Sequence, residues 1–598
     1  MKFLSPTLLL VPLTVCTPTP GPTTAGEAAS DSASTSSGET SSGTSSASTT
    51  DDPSGNPTTT AGDTETTGTS SSSSGGETGV DPEARKEASI GMNLAGVNDW
   101  STESPFIDLM KSSRAWQDWD GDKSELATID EQGWLTSIPG GKSAGLVFLT
   151  TLDDQPAPFD RFVVMWEGAG SLSYHWCAAR DDVASSDHRD VIDQTCGGSS
   201  MMMVQGFEPG DPIRNIRIIP EPLLADYEAG EIFNPVWLEQ IAPFRAVRFM
   251  DWLATNNSQL SSWANRPQID DRRWTKNGVP LEIAIKLANT INADPWINIP
   301  HLADDDFIRG VVGLVQQELA PQLVPTFEYS NEVWNWGFEQ AQYAHTEGQA
   351  RWGDDVGDAW MQYLGMRTAQ LCDIARGEFY KDTPEAMHCV VSTQTAYHGI
   401  AQGALDCPEW VAEGNAPCSQ HGVDQLGLTT YFTGCLHDMN NAGIMQSWFG
   451  EADGGVQKGL EQALDGRHFE CEDTVENLMN HWAYFAPEAS ARGMTLVGYE
   501  GGSHITANGS GLQNDPEFIK FHLALNRAPG MGDLYLQMLA SWRDGGGTLL
   551  MHFVDFARPS EHGSWGALEN LTQKTSPKWD ALSSINAEPC WWQGCDDG

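Results

Sequence analysis

Short apolar runs alternate with segments of helical periodicity from residue 244 onward, and this alternation constrains the fold more than any other feature. Together with one earlier run there are eight apolar segments: 90–96, 244–252, 294–301, 323–329, 388–392, 425–431, 494–499 and 548–553. Strands separated by helices pair in parallel, because each helix carries the chain back across the sheet in a right-handed crossover. Eight parallel strands close a (β/α)8 barrel, so we predict an α/β fold with a TIM barrel.

The pattern between residues 115 and 219 differs from that of the predicted barrel. Short runs of alternating polarity, among them Gly145–Thr150, Arg161–Trp166 and Ser171–Trp176, are separated by turn residues. Runs at this spacing are typical of an all-β sandwich. We therefore predict a sandwich-like domain at 115–219, inserted after the first barrel strand. The barrel itself would comprise residues 86–114 and 220–598.

The first 16 residues have the features of an export signal. Lys2 precedes an apolar stretch that is too short to span a bilayer. The stretch ends in Leu13-Thr-Val-Cys16, which resembles a bacterial lipobox and predicts a lipid on Cys16 and a place at the outer membrane or cell surface. Cleavage without acylation, followed by secretion, is the alternative. Residues 17–85 are rich in Ser, Thr, Gly and Pro and are expected to form a disordered linker.

Cysteine usage agrees with export. The chain has 11 cysteines, and the ten besides Cys16 are an even number, which suggests disulfide bonds in an exported protein. Pairing of sequence neighbours gives the expected bridges 177–196, 372–389, 407–418, 435–471 and 590–595. No cysteine pattern has the spacing of a zinc site and no HExxH motif occurs, so neither a metal nor another cofactor is expected.

The chain is strongly acidic, with a formal net charge of −49 from 33 basic and 82 acidic residues. This charge argues against nucleic acid or an anionic membrane surface as a partner, because both are themselves negatively charged. The 23 tryptophans offer flat surfaces on which sugars can stack, although any one of them can equally pack in the core.

Chemically reactive side chains are concentrated where two predicted strands end. The fourth predicted strand leads into Asn331, Glu332 and two tryptophans, Trp334 and Trp336, and the seventh ends in Glu500. A carboxylic acid can protonate a glycosidic oxygen, and a second carboxylate can act as a nucleophile. An amide can hold a hydroxyl, and indoles can stack on sugar rings. These residues therefore indicate carbohydrate chemistry.

The sequence resembles the clan A glycoside hydrolases, which are retaining enzymes built on (β/α)8 barrels. The resemblance rests on Asn331-Glu332 after the fourth strand and on Glu500 at the end of the seventh. It implies that Glu332 is the acid/base, that Glu500 is the nucleophile and that Asn331 holds the 2-hydroxyl of the sugar. It also implies supporting roles for Arg248 at the second strand and Tyr431 at the sixth.

Further residues are candidates for lining the sugar site. The clan usually has a tryptophan at the tip of the eighth strand, where this sequence has none, and Trp565 is a candidate substitute. The other candidates for substrate binding or support are Asn298, His301, His398, Trp252, Trp334 and Trp336. Structural alternatives stay open: Arg248 could pair with Asp251, His301 could cap the following helix, and the acidic run 304–306 could bind calcium.

The expected function is hydrolysis of a polysaccharide or oligosaccharide by a retaining β-glycoside hydrolase. In a double displacement, Glu500 attacks the anomeric carbon while Glu332 protonates the leaving oxygen, and Glu332 then activates water. Two alternatives remain. One is a surface protein that binds carbohydrate without cutting it, with the inserted β-domain as the binding element. The other is a transglycosylase that uses the same carboxylates.

Overall fold

The structure is a computed structural model that describes residues 88–152, 155–507, 511–593 and 595. The predicted export signal, Cys16 and the predicted linker at 17–85 lie outside the described residues.

Strands and helices alternate along most of the described chain. In chain order the strands are β1 (Ile90–Asn93), β2 (Gln117–Asp118), β3 (Ala144–Thr151), β4 (Arg161–Glu167), β5 (Ser171–Trp176), β6 (Ala178–Arg180), β7 (Arg189–Gln194), β8 (Gly198–Gln205), β9 (Arg214–Pro220), β10 (Ala246–Arg248), β11 (Asp294–Ile299), β12 (Thr326–Tyr329), β13 (His388–Ser392), β14 (Gln425–Phe432), β15 (Thr495–Ser503) and β16 (Gly547–His552). The α-helices are α1 (Leu224–Glu228), α2 (Pro235–Ile241), α3 (Leu281–Ile291), α4 (Asp305–Glu318), α5 (Glu339–Trp352), α6 (Ala359–Ile374), α7 (His398–Asp406), α8 (Pro408–Ala412), α9 (Ala442–Gln446), α10 (Val456–Asp465), α11 (Val475–Ala491), α12 (Pro516–Arg527), α13 (Pro529–Asp544) and α14 (Pro577–Asn586).

Strand β1 and strands β10 to β16 form a closed barrel in sequence order, and each neighbouring pair is parallel. The predicted (β/α)8 barrel is therefore confirmed. Five of the strands contribute to an apolar cluster in which Trp296 and Tyr499 are the largest residues. Successive side chains of a strand point to opposite faces, so this cluster lies inside the barrel, while the larger core lies between the strands and the helices.

Helix α4 shows how local sequence positions a barrel helix. The Asp304 side chain caps the helix by accepting a hydrogen bond from the backbone N–H of Phe307 at 2.7 Å. Asp305 and Asp306 occupy the first turn and form ion pairs with arginines. The acidic run that could have bound calcium is thus engaged in capping and ion pairing. The buried side of the helix carries Phe307, Ile308, Val311, Val312 and Val315, at helical spacing.

Two four-stranded antiparallel sheets lie between the first two barrel strands in the sequence, with strand orders β2-β3-β8-β5 and β6-β7-β4-β9. Both sheets contribute to one apolar core, which includes Leu146, Phe148, Phe162, Met202 and Ile218. The two sheets therefore pack face to face, and the predicted all-β insertion in a TIM barrel is confirmed.

A buried arginine joins the insertion to the barrel. Arg272, in the loop between β10 and α3, donates hydrogen bonds to the carbonyl oxygens of Gly133 and Arg114 and to Ser113 Oγ. Burial lowers the pKa of Arg272 to about 9. Because its partners are neutral, this guanidinium links the two regions by hydrogen bonds and no carboxylate balances it directly.

The five disulfide bonds expected from neighbour pairing are confirmed. They join Cys177 to Cys196, Cys372 to Cys389, Cys407 to Cys418, Cys435 to Cys471 and Cys590 to Cys595, with Cα–Cα distances of 5.1 to 6.2 Å. Within the described residues, no helix is both long enough and apolar enough to cross a membrane.

Candidate active site

A strained turn after β12 carries Glu332. Ser330 and Glu332 both adopt the left-handed conformation, with φ of 62° and 41°. A residue with a side chain in such a region costs on the order of 1–3 kcal/mol and persists only where surrounding contacts fix it. Here Gln340 Nε2 donates to the Asn331 carbonyl oxygen at 2.9 Å, and Asn331 Nδ2 donates to Asn256 Oδ1 at 3.1 Å. These hydrogen bonds fix the backbone of the turn, and with it the position from which the Glu332 side chain projects.

Glu500 lies within β15, whereas the sequence placed it at the end of this strand. The strand continues through Gly501 and Gly502 to Ser503, and each of these residues pairs with β14. Glycine is required for this continuation, because a Cβ atom on Gly501 would lie 1.8 Å from Thr430 Oγ1. Residues before and after Glu500 are therefore both held in the sheet by pairing with β14, which fixes the backbone of Glu500.

Arg248, at the end of β10, connects the residues predicted to form the site. Its side chain is fully buried. Nη1 donates to Glu500 Oε1 at 2.8 Å and to Asn93 Oδ1 at 3.1 Å. Nη2 donates to Asn331 Oδ1 at 2.8 Å and to Glu328 Oε2 at 2.8 Å. The guanidinium pairs with Glu328 and Glu500 rather than with Asp251, the partner in the structural alternative.

Glu328 is a second buried carboxylate partner of Arg248. Its Oε2 atom also accepts from Trp296 Nε1 at 2.9 Å and from Asn298 Nδ2 at 2.7 Å. Asn298, a predicted support residue, is therefore part of the network, and it acts through Glu328. All of these donors converge on Oε2, so Glu328 fixes the orientation of Arg248 inside the barrel.

Glu332 is surrounded by neutral hydrogen-bond donors. Tyr499 OH donates to Oε1 at 3.2 Å and Asn335 Nδ2 donates to Oε2 at 3.0 Å. Burial, reinforced by the negative charge of Glu500, raises the pKa of Glu332 to about 8. Tyr499, which contacts Glu332, directly precedes Glu500 in β15, so adjacent residues link the two carboxyls. The surroundings of Glu332 therefore favour its protonated form.

Glu500 has a cation and a phenol as partners. Besides the Arg248 contact, Tyr431 OH donates to Glu500 Oε2 at 3.0 Å. Burial raises the pKa of Glu500, and both Arg248 and Tyr431 oppose that rise by stabilising the carboxylate. Glu500 is thus held by a positive charge and Glu332 by neutral groups. Such unequal surroundings move the pKa values of two carboxyls apart, so that one can act as an acid and the other as a base.

Aromatic side chains surround both carboxyls. Trp334 Nε1 donates to Tyr499 OH at 3.1 Å, which places Trp334 behind Glu332. Trp565 lies with its ring centroid 6.0 Å from that of Tyr431, the partner of Glu500. Trp565 therefore lies against the tyrosine that contacts Glu500, together with Phe553, whose ring centroid is 5.9 Å away.

Three predicted sugar-site residues make their described contacts elsewhere. Trp336 is 48% exposed and its ring lies 5.3 Å from that of Trp360. His301 lines a neighbouring cavity of about 510 Å³ that also involves Tyr343. His398 stacks on Tyr484 at 4.0 Å, against α11. The described contacts do not join these residues to the Arg248 network.

Trp252 requires a correction. Its side chain is 1% exposed and its ring stacks on Trp237 at 5.7 Å, within the large apolar core. A platform for a sugar must present an open ring face, so Trp252 contributes to packing and does not bind substrate.

Several residues of the network were not predicted from the sequence, namely Asn93, Trp296, Glu328, Asn335 and Tyr499. A signal existed for Glu328, because a charged residue in an apolar strand needs a buried partner. Asn335 follows Glu332 by three residues and could have been considered with it. The other three come from strands whose neighbours are apparent only in the closed barrel.

Among the described residues, no group of three or more His, Cys, Asp or Glu side chains is arranged to hold a metal ion.

Comparisons with known proteins give distant structural similarities. No protein-family model matches the chain, and a search of curated proteins finds no match. A GH51 arabinofuranosidase from Xanthomonas axonopodis pv. citri aligns with 59% of this chain at 12% identity and a TM-score of 0.34, and the alignment spans 65% of that enzyme, just under two thirds of its length.

Two family 5 enzymes align over similar lengths. A Bacteroidetes-affiliated GH5 cellulase covers 58% of this chain and 82% of its own, at 11% identity and a TM-score of 0.33. A family 5 xyloglucanase from Paenibacillus pabuli covers 59% of this chain and 90% of its own, at 10% identity and a TM-score of 0.33. Similarities this distant do not bear on the reaction.

Proposed function

We propose that the protein is a retaining β-glycoside hydrolase in which Glu500 is the nucleophile and Glu332 is the acid/base. The observation that carries this proposal is the unequal environment of two carboxyls, a buried Glu500 and a partly buried Glu332. Glu500 is paired with Arg248 and Tyr431, whereas the described hydrogen bonds of Glu332 come from neutral donors and its pKa is raised to about 8. Retaining glycosidases need such a pair, one ionised and one protonated.

The first half of the reaction forms a glycosyl-enzyme. A Glu500 oxygen attacks the anomeric carbon, the bond to the leaving oxygen breaks, and its electron pair stays on that oxygen. Glu332 gives its proton to the same oxygen. Arg248 keeps Glu500 ionised until attack. The Asn331 amide uses its oxygen for Arg248 and one N–H for Asn256, and we assign its second N–H to the 2-hydroxyl of the sugar.

The second half returns the enzyme to its starting state. Glu332, now ionised, takes a proton from water while the water oxygen attacks the anomeric carbon and displaces Glu500. Formation of the glycosyl-enzyme lowers the negative charge beside Glu332, so the same residue that served as an acid becomes a suitable base. A sugar hydroxyl in place of water would give transglycosylation, which is the second candidate reaction.

The substrate class in this proposal is a polysaccharide or an oligosaccharide. The support is the exposed Trp336 ring, which packs beside Trp360 and follows the acid/base residue by four positions. Because the acid protonates the leaving group, a stacking surface on that side would hold a sugar of the leaving group. We further propose that the protein acts outside the cytoplasm, since five disulfide bonds persist best in an oxidising compartment.

The test combines two isosteric substitutions with product stereochemistry. We expect Glu332→Gln and Glu500→Gln each to lower kcat/KM on a cleaved β-glycan by roughly 10⁴-fold or more. Proton NMR of early products from the unsubstituted protein should show the β-anomer. The matched control is Glu413→Gln, which removes a carboxylate paired with Arg351 on the outside of the barrel and should leave activity unchanged.

Three results would contradict the proposal. Full activity in either glutamine variant would exclude the assigned role of that residue. Release of the α-anomer would show inversion and exclude a glycosyl-enzyme. Binding of glycans without product release, in the unsubstituted protein, would favour the carbohydrate-binding alternative.

A further inference from the structure

A β-bulge places Tyr499 and Glu500 on the same side of β15. The β14 partner of Gly498 is Leu428. The next residue of β14, Thr429, pairs with Glu500, so Tyr499 is an extra residue without a counterpart. Adjacent side chains of a regular strand point to opposite faces, and a bulge interrupts this alternation. Tyr499 and Glu500 can therefore both face the inside of the barrel.

Trp334 determines the direction in which the Tyr499 hydroxyl donates. Trp334 Nε1 lies 3.1 Å from the hydroxyl oxygen, and Glu332 Oε1 lies 3.2 Å from it. An indole N–H can donate but has no lone pair with which to accept. The hydroxyl oxygen therefore accepts from Trp334, and its own proton points at Glu332.

Contacts from β1 and β10 hold Tyr499 in place. Tyr499 is fully buried, and its ring centroid lies 5.2 Å from Arg248 Cζ. Its backbone carbonyl, left free by the bulge, accepts from Asn93 Nδ2 at 3.1 Å. The titratable and charged groups that face Tyr499 and Glu332 are Arg248, Glu328, Tyr431 and Glu500. Of the two tyrosines, Tyr499 is the one that donates to Glu332.

We propose that Tyr499 is a positioning residue for the acid/base, holding Oε1 of Glu332 as an acceptor so that Oε2 carries the transferred proton. This inference rests on the proposed function. In the first half-reaction Oε2–H protonates the leaving oxygen, and in the second Oε2 takes a proton from water. Asn335 Nδ2, 3.0 Å from Oε2, occupies one lone pair of that oxygen and leaves the other for the proton. The carboxyl group then need not rotate between the two halves.

The experiment is the substitution Tyr499→Phe, which removes the hydroxyl and keeps the ring. A donor to a carboxylate favours its ionised form, so loss of the donor raises the pKa of Glu332. We expect the alkaline limb of the kcat/KM profile to move up by about one pH unit. For an oligosaccharide kcat should fall about 10- to 100-fold, and for a nitrophenyl glycoside about threefold or less, because that leaving group needs little protonation.

Two further tyrosine variants serve as matched controls. Tyr431→Phe removes the donor to Glu500, so it should move the acidic limb of the pH profile to higher pH and leave the alkaline limb in place. Tyr535→Phe removes a buried hydroxyl that accepts from the Ser503 backbone N–H, close to the same strand but without a carboxylate partner. It should lower the melting temperature and shift neither limb.

The possible outcomes separate this inference from the proposed function. An unsubstituted protein that cleaves no glycoside would refute the function. An active Tyr499→Phe variant whose alkaline limb is unchanged would refute the role of Tyr499 and leave the function standing. Carbon-13 NMR titration of the Glu332 carboxyl measures the same shift without turnover, and an unchanged midpoint in the variant would also refute the role.

Discussion

The turn after β12 and strand β15 present their carboxyls in different ways. Glu332 follows β12 on a turn with two left-handed residues, while Glu500 lies in a strand whose pairing continues for three more residues. The turn is fixed by side-chain hydrogen bonds, and the strand is fixed by its backbone ladder. A nucleophile must approach one carbon along one line, and a strand holds it there. A proton donor needs a fixed carboxyl but can sit on a turn.

The two regions also differ in charge. Arg248 contacts Glu500 directly, and the described hydrogen bonds of Glu332 come from a phenol and an amide. A cation stabilises the ionised form of its neighbour, whereas burial without a cation stabilises the protonated form. The comparison therefore shows how one arginine, placed next to Glu500 and not next to Glu332, makes two glutamates favour different protonation states.

Substitution of Arg248 should abolish the difference in charge between the surroundings of Glu500 and Glu332. It should also have the largest effect on activity. We expect Arg248→Met to lower kcat/KM on the order of 10³-fold, because Glu500 loses the cation that contacts it directly. The acidic limb should move to higher pH, since the ionised form of Glu500 is no longer favoured. Steady-state kinetics against pH measures both effects.

The control for Arg248→Met is Arg272→Met. Arg272 is also buried, but its partners are neutral groups at the junction with the insertion. It should lower the melting temperature and retain activity per folded molecule. Equal losses of activity in the two variants would show that Arg248 acts only through stability.

Removing the charge of Glu328, the second carboxylate partner of Arg248, should shift the acidic limb in the direction opposite to that expected for Arg248→Met. Glu328→Gln should lower kcat about 10- to 100-fold, as for other residues that orient a catalytic group. Loss of a negative charge near Glu500 favours its ionised form, so the acidic limb should move to lower pH. An acidic limb that rises instead would contradict the assignment of that limb to Glu500.

The pH profile of the unsubstituted protein tests the two environments directly. Glu332 must be protonated for the first step, and its pKa is raised to about 8, so kcat/KM should be maintained up to that pH. Beyond it, activity should fall about tenfold per pH unit as Glu332 ionises. The acidic limb should report Glu500. An alkaline limb near pH 5 would mean that Glu332 is not held protonated by its surroundings.

The smallest expected effect concerns the exposed tryptophan beyond the turn. Trp336→Ala should raise KM for an oligosaccharide roughly 3- to 10-fold, the value of one stacking contact, and should not change KM for a nitrophenyl glycoside. Trp176→Ala, which removes an exposed tryptophan of the insertion, is the control and should change neither value. Equal effects of Trp336→Ala on both substrates would place the ring elsewhere than on the leaving-group side.

Residues near the carboxyls show where sequence reasoning succeeded and where it stopped. Glu332 and Glu500 could be selected because each follows an apolar run, whereas Arg248 and Tyr431 were selected because the resemblance to the clan A glycoside hydrolases implies an arginine and a tyrosine at those strands. Trp252 was misassigned, since an aromatic residue near a strand end has the same local pattern whether its ring faces a cleft or the core. Nothing in the order of residues distinguishes these two cases.

The sequence by itself determined the alternation of strands and helices, the closed barrel, the β insertion and the five disulfide pairs. Each follows from local periodicity or from short chain separations. Only the tertiary structure decided that Arg248 serves Glu500 and Glu328 together, and that a bulge lets the adjacent residues Tyr499 and Glu500 face the barrel interior together. The contacts of Arg248 with Glu328 and Glu500, for example, join residues 80 and 252 positions apart. Closure of the barrel brings them together, and no local pattern in the chain encodes that distance.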